Sequence, residues 1–130
     1  MTLLDTHVWL WWLSDASVLS AAARARIAQA ERDATVAVSA ISAWEAAMLV
    51  MKRRLVLTLT IEDLITSCER LPVMRFLPVT ARIAAASVQL DSLHADPADR
   101  LIVATARAFN ATLVTKDERL LAHSGVRTVW

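Results

Sequence analysis

Five carboxylates stand where an acid could do more than solvate a surface: Asp5, Glu45, Asp96, Asp99 and Asp117. Asp5 directly follows the apolar run Leu3-Leu4, and Asp117 lies just past Ala111-Thr112-Leu113-Val114-Thr115, so both leave segments that read as β-strands. Glu45 sits inside Ala40–Met51, a helical stretch apolar almost all round, which predicts a buried helix. Only Ser42 and Glu45 break that pattern, and their spacing puts them on one face. Glu45 is too deep in the helix to cap its start. A lone buried carboxylate is costly unless it is paired or bound to a metal; the alternatives are a surface position or a salt bridge to an arginine.

The other acids each carry a structural reading beside the chemical one. Asp5 and Asp117 suit the N-caps of the helices that follow them. In Asp96-Pro97-Ala98-Asp99-Arg100, Asp96 as N-cap, Pro97 at the first helical position and Asp99 three residues after the cap form a helix-start signal. Asp96 is accounted for by that role, whereas Asp99 reaches back less well than the usual Glu. Thr115 divides in the same way, as a cap or as a hydroxyl facing a site. Acids that converge in one pocket raise one another's pKa unless a cation lies between them. All-oxygen ligation favours Mg²⁺, with Mn²⁺ as a substitute, over zinc. Such an ion lowers the pKa of a bound water and stabilises charge on phosphate oxygens.

Positioning these acids requires alternating elements. Strands are expected at Thr2–Leu4, Thr35–Val38, Phe76–Val79, Thr112–Thr115 and Arg127–Trp130. Helices are expected at Thr6–Leu13, Ser20–Glu31, Ala40–Met51, Ile61–Arg70, Ala81–Leu90, Pro97–Phe109 and Glu118–Ala122. That alternation predicts an α/β fold with a parallel sheet covered on both faces, and ligands in such sheets bind beyond the carboxyl ends of the strands.

The chain has 130 residues, no repeat, no Gly/Ser-rich linker and a single glycine, Gly125, consistent with one domain over residues 1–130. It is 56% hydrophobic with a mean hydropathy of +0.44, enough for a large core and an apolar surface that a homodimer or partner would cover. No apolar run approaches the ~18 to 20 residues of a membrane span. The first residues lack a basic n-region, and Cys68 stands alone, so no intrachain disulfide framework exists and the cytoplasm is the expected compartment. Net charge is only +1, yet twelve of the fourteen basic residues are arginine, the side chain shaped for bidentate phosphate contact.

Two other classes compete with a metal-dependent nuclease. A phospho-acceptor signalling domain would use strand-end aspartates and Lys116 but has no task for Glu45. A silent partner-binding module treats the acids as caps and explains Glu45 no better.

At these residues the chain resembles PIN-domain ribonucleases, specifically the VapC-like toxins of type II toxin–antitoxin pairs. Leu3-Leu4-Asp5-Thr6-His7 is similar to the family's opening motif, Ser42-Ala43-Trp44-Glu45 to its second and Thr115-Lys116-Asp117 to its last. Asp96-Pro97-Ala98-Asp99-Arg100 is similar to the third motif of one subgroup, where His-Arg precedes and an aromatic separates the acids; here Ala95 and Ala98 occupy those places. The resemblance implies a PIN-like three-layer α/β/α fold with a central parallel sheet of four to five strands. It also implies a Mg²⁺-dependent endoribonuclease acting on RNA, a homodimer and a cognate antitoxin. Asp5, Glu45, Asp99 and Asp117 would be the metal-site acids and catalytic residues, with Asp96, Thr6, Ser42, Thr115 and Arg100 as accessories.

Around this set, Trp9 and Trp12 share a helix face and read as core, while Trp11 points elsewhere, toward an RNA base or a partner. Lys52-Arg53-Arg54 complements a helix C-terminus or meets an RNA backbone. Arg100 would steady a phosphate or pair with an acid. His7, His94 and His123 lack metal-ligand spacing, and His7 is notable for its closeness to Asp5.

Overall fold

A computed structural model of the chain describes residues 1–91 and 95–130, so His94 lies outside the described residues. Five short strands form one sheet: β1 (Thr2–Leu4), β2 (Val36–Ser39), β3 (Met74–Leu77), β4 (Thr112–Val114) and β5 (Arg127–Val129). Every pairing is parallel and the spatial order is β3-β2-β1-β4-β5. The three inner strands carry Val, Leu, Ala and Thr because parallel strands are covered on both faces. β1 and β2 are buried at every position, whereas the edge strand β3 exposes Arg75.

Seven helices connect and cover the strands: α1 (Thr6–Ser14), α2 (Ala21–Arg32), α3 (Ala40–Met51), α4 (Ile61–Glu69), α5 (Ala81–Val88), α6 (Pro97–Ala108) and α7 (Glu118–Leu121), with a 3₁₀ turn at Ala16–Val18. The period-two alternation of the strands divides the core in two. Leu4, Val36, Val38 and Val114 face one layer with Val8, Trp9, Ile27, Leu64 and Cys68 from α1, α2 and α4. Leu3, Ala37 and Leu113 face the other with Ile83, Ile102, Val103 and Leu120 from α5, α6 and α7. This is the expected three-layer α/β/α arrangement, with five strands. No helix among the described residues is long and apolar enough to cross a membrane.

Two expectations are corrected. The third strand runs two residues earlier than Phe76–Val79, because Pro78 has no N–H to give to a ladder and ends the pairing, which starts at Val36 with Met74. Helix α3 is not buried all round: only Ser42 and Ala46 are fully covered, while Trp44 is 53% and Met51 68% exposed. Its apolar sequence therefore includes a face left uncovered by the rest of the chain.

The connectivity fixes where a site can form. From β1 the chain steps to β2 and β3 on one side, then crosses to β4 and β5 on the other. Neighbours β1 and β4 thus flank the point where the winding reverses, and the crevice beyond their carboxyl ends is where α/β sheets bind ligands.

Candidate active site

Asp5 is the first residue past β1, and its backbone N–H donates to Val114 O of β4 at 3.0 Å. Its side chain caps α1, accepting from Thr6 N at 2.7 Å, while its second oxygen accepts from the Thr115 hydroxyl at 2.6 Å. Thr115 Oγ1 in turn accepts from Asp117 N at 3.1 Å. Asp117 caps α7 by accepting from Arg119 N at 2.8 Å. The cap and the site readings of these acids are therefore not alternatives: one residue does both, because the N-termini of the helices open on the crevice beyond the strands.

Glu45 arrives from α3. The Thr6 hydroxyl donates to the buried Ser42 hydroxyl at 2.9 Å, tying the start of α1 to the first turn of α3. Asp96 caps α6 by accepting from Asp99 N at 3.1 Å. Pro97 at the first turn suits a position with no helical acceptor for an N–H. All five acids line one cavity of about 580 Å³, together with His7, Trp11, Lys116 and Arg119.

Within that cavity the acids are not equivalent. Among the described residues, Glu45, Asp96 and Asp99 each offer a carboxylate oxygen, and these oxygens lie within 4.8 Å of one another, the arrangement a single cation needs. Asp5 stands behind them, 7% exposed and held by two hydrogen bonds. Asp117 meets Arg119, whose Nη2 and Nε donate to its two oxygens at 2.9 and 3.2 Å.

The electrostatics follow from this crowding. Burial pushes the Asp5 carboxyl above its ordinary value; the bonds from Thr115 and Thr6 oppose it, and the negative charge of Asp117 adds to it. The half-buried Glu45 is also raised, first by burial and then by the charges of Asp5 and Asp96, against a hydroxyl contact with Thr6 and the nearby His7. Crowded carboxylate oxygens with no nitrogen or sulfur among them form a donor set for a hard divalent cation. The residues present fit such an ion.

The accessory residues take distinct positions. Thr6, Ser42 and Thr115 lie behind the acids, fully buried: the Thr115 hydroxyl and the Thr6 N–H donate to Asp5, and Ser42 accepts from the Thr6 hydroxyl. Arg100 is directed away from the cavity: its Nη1 donates to Ser87 O at 2.9 Å and Leu90 O at 3.2 Å, closing the end of α5. Trp9 is fully buried as expected, and the half-buried Trp12 donates its indole N–H to Glu31 at 3.3 Å. Trp11 faces the cavity. The sequence reading kept Asp96 as an accessory beside the acids because its capping role accounts for it; in the structure its carboxylate groups with those of Glu45 and Asp99. The sequence reading missed Arg119, whose only signal was its spacing of two residues from Asp117.

Known proteins are similar to this chain in sequence and fold. A family model described as the PIN domain matches residues 2–125. Ribonuclease VapC22 of Mycobacterium tuberculosis is 40% identical over 131 residues, covering 98% of this chain and 97% of its own. FitAcB from Neisseria gonorrhoeae superposes with a TM-score of 0.67 at 25% identity, covering 100% of this chain and 97% of that one. VapBC2 from Rickettsia felis, bound to a DNA fragment from its promoter, gives a TM-score of 0.72 at 17% identity over 98% and 96% of the two chains, a likeness of fold alone.

Proposed function

This chain belongs to the PIN-domain family, and from that premise we propose that it is a metal-dependent endoribonuclease, the toxin of a toxin–antitoxin pair. The observation that carries this reading is the cluster of Glu45, Asp96 and Asp99 oxygens in a cavity that Asp5 and Asp117 also line. A 40% identical ribonuclease spanning nearly the same length supports the hydrolysis of RNA phosphodiester bonds.

Glu45, Asp99 and Asp96 would hold the ion, Mg²⁺ or alternatively Mn²⁺, with Asp5 and Asp117 lining the same cavity. When bound, the ion supplies charge neutralisation at the phosphate and a lowered pKa for the attacking water. The chain's own residues hold the geometry. Thr115 and the Thr6 N–H fix both oxygens of Asp5, and Ser42 fixes Thr6, so the acids keep one arrangement without having to be ordered by substrate. Arg119, paired with Asp117 at the cavity, is placed to share its guanidinium with the substrate phosphate.

A homodimer and a cognate antitoxin belong to the same reading, with residues 1–130 as one domain acting in the cytoplasm. The exposed Trp44, Val50 and Met51 of α3 support a covering protein surface. So does an apolar groove beside the cavity, lined by Leu10, Leu13, Leu55, Val56 and Leu59.

The test is cleavage of total cellular RNA by the purified protein with Mg²⁺, with Mn²⁺ and with EDTA, run beside Glu45→Gln. Cleavage that needs the divalent ion and disappears in the variant supports the proposal. Absence of cleavage under every condition, or full activity in Glu45→Gln, overturns it.

A further inference from the structure

Trp11, Lys116 and His7 form a wall of the acid cavity that the hydrolytic chemistry does not use, and Trp130 packs behind Trp11 and Lys116. Trp11 and His7, one helical turn apart on α1, have ring centroids 5.8 Å apart at a tilt of 43°. On its other side Trp11 packs on Trp130 at 6.0 Å and 53°. Lys116 Nζ lies over both indoles, 5.8 Å from Trp11 and 5.9 Å from Trp130. Trp11, His7 and Lys116 line the same cavity as the five acids.

We infer that Trp11 is a stacking platform for the nucleobase next to the scissile phosphate, with Lys116 as the cation that the base displaces and that then meets the RNA backbone. The inference rests on the ribonuclease reading. Three observations carry it. Of the three tryptophans on α1, Trp9 is fully buried in the core and Trp12 gives its indole N–H to Glu31, whereas Trp11, also half-buried, borders the cavity. Contacts with His7 and Trp130 hold its plane, so little rotamer entropy is lost when a base arrives. A cation over an indole that solvent still reaches is worth a factor of about 2 to 5, while stacking of a base on an aromatic is worth about 5 to 150, so the exchange favours the base.

The exchange also supplies charge where it is needed. A strand entering a cavity of five carboxylates meets repulsion, and the displaced Lys116 ammonium, exposed on its flexible stem, is the group placed to offset it. Because every base has a π-face, the platform selects single-stranded RNA without reading sequence.

The test is binding of fluorescein-labelled decamers by anisotropy, with divalent ions chelated so that the strand stays intact, using r(A)₁₀ and a decamer of abasic sugar-phosphate. The full chain, Trp11→Leu and Trp11→Phe are compared, with circular dichroism as the folding control. Expected are a weakening of r(A)₁₀ binding by about 5-fold or more in Trp11→Leu, substantial recovery in Trp11→Phe, and abasic binding that is equal in all three. In cleavage with Mg²⁺, the loss falls on KM rather than kcat. Equal r(A)₁₀ binding by the full chain and Trp11→Leu, or equal losses on the r(A)₁₀ and abasic strands, overturns the inference while the ribonuclease reading stands on its own cleavage assay. Failure of the unsubstituted protein to bind or cleave any RNA overturns both.

Discussion

The hydroxyl of Thr115 donates to Asp5 Oδ2 at 2.6 Å across 110 residues of sequence, joining the ends of β1 and β4. Thr115 Oγ1 in turn accepts from Asp117 N, so one threonine orients two acids of the cavity. Thr115→Val keeps the shape and removes both bonds. Asp5 then loses the largest influence that opposes its raised pKa. Ion-dependent RNA cleavage is expected to fall about 10- to 100-fold, as when a residue that orients a metal ligand is lost. The acid limb of the kcat/KM profile should move to higher pH. Thr115→Ser should restore most of the activity; a Thr115→Val profile superimposable on the parent would refute the role.

Glu45→Gln tests whether the fold tolerates the acid or depends on it. Because burial and neighbouring charges disfavour the ionised form, a neutral isostere should not destabilise the metal-free protein. Cleavage is expected to drop about 10²- to 10³-fold, while the urea midpoint in EDTA at pH 7 is no lower than that of the parent. A large fall in that midpoint would identify Glu45 as a structural ion-pair partner instead.

Stability should also depend on pH in a particular direction. Asp5 and Glu45 have folded pKa values above their ordinary 3.8 and 4.5. For a carboxyl raised by folding, the stabilising contribution is complete below the unfolded pKa and is lost as pH rises through the folded value. In EDTA, these two groups therefore lower Tm as pH rises above their ordinary values. Mg²⁺ binds the ionised acids and should raise Tm at neutral pH more than at acidic pH. Calorimetry at several pH values, with Mg²⁺ and with EDTA, separates this from an ion-independent trend.

Helix ends provide a check on the backbone. Ala34, just past the end of α2, has φ of 52°, a left-handed conformation that costs an alanine about 1 kcal/mol or more relative to glycine. Ala34→Gly should stabilise the protein by about 1 kcal/mol, a Tm rise of about 4 °C for a chain of this size. Arg53 and Asn110 share that conformation after α3 and α6, but asparagine tolerates it, so Asn110→Gly should gain less.

Sequence alone determined the element types and singled out the acids that the structure gathers in one cavity. Alternation of apolar runs with helical periods dictated a parallel sheet, and Asp5, Asp99 and Asp117 sit beside strand ends or helix starts whose local signals are strong. Glu45 was legible because an acid in an apolar helix is costly without a partner. The extent of α3 burial was not legible, since an apolar face looks the same in sequence whether the chain's own core or another protein covers it. Nor were the pairing of Arg119 with Asp117, the turning of Arg100 to the end of α5, and the grouping of Asp96 with Glu45 and Asp99. These depend on where β4 crosses to the far side of β1 and on how α3 and α6 meet above that crossing. Local propensity acts over a few residues, whereas cation sites and aromatic walls are set by the angles at which whole elements pack. Only the tertiary structure could decide that the capping aspartates also face one cavity, with Trp11 and Lys116 beside it.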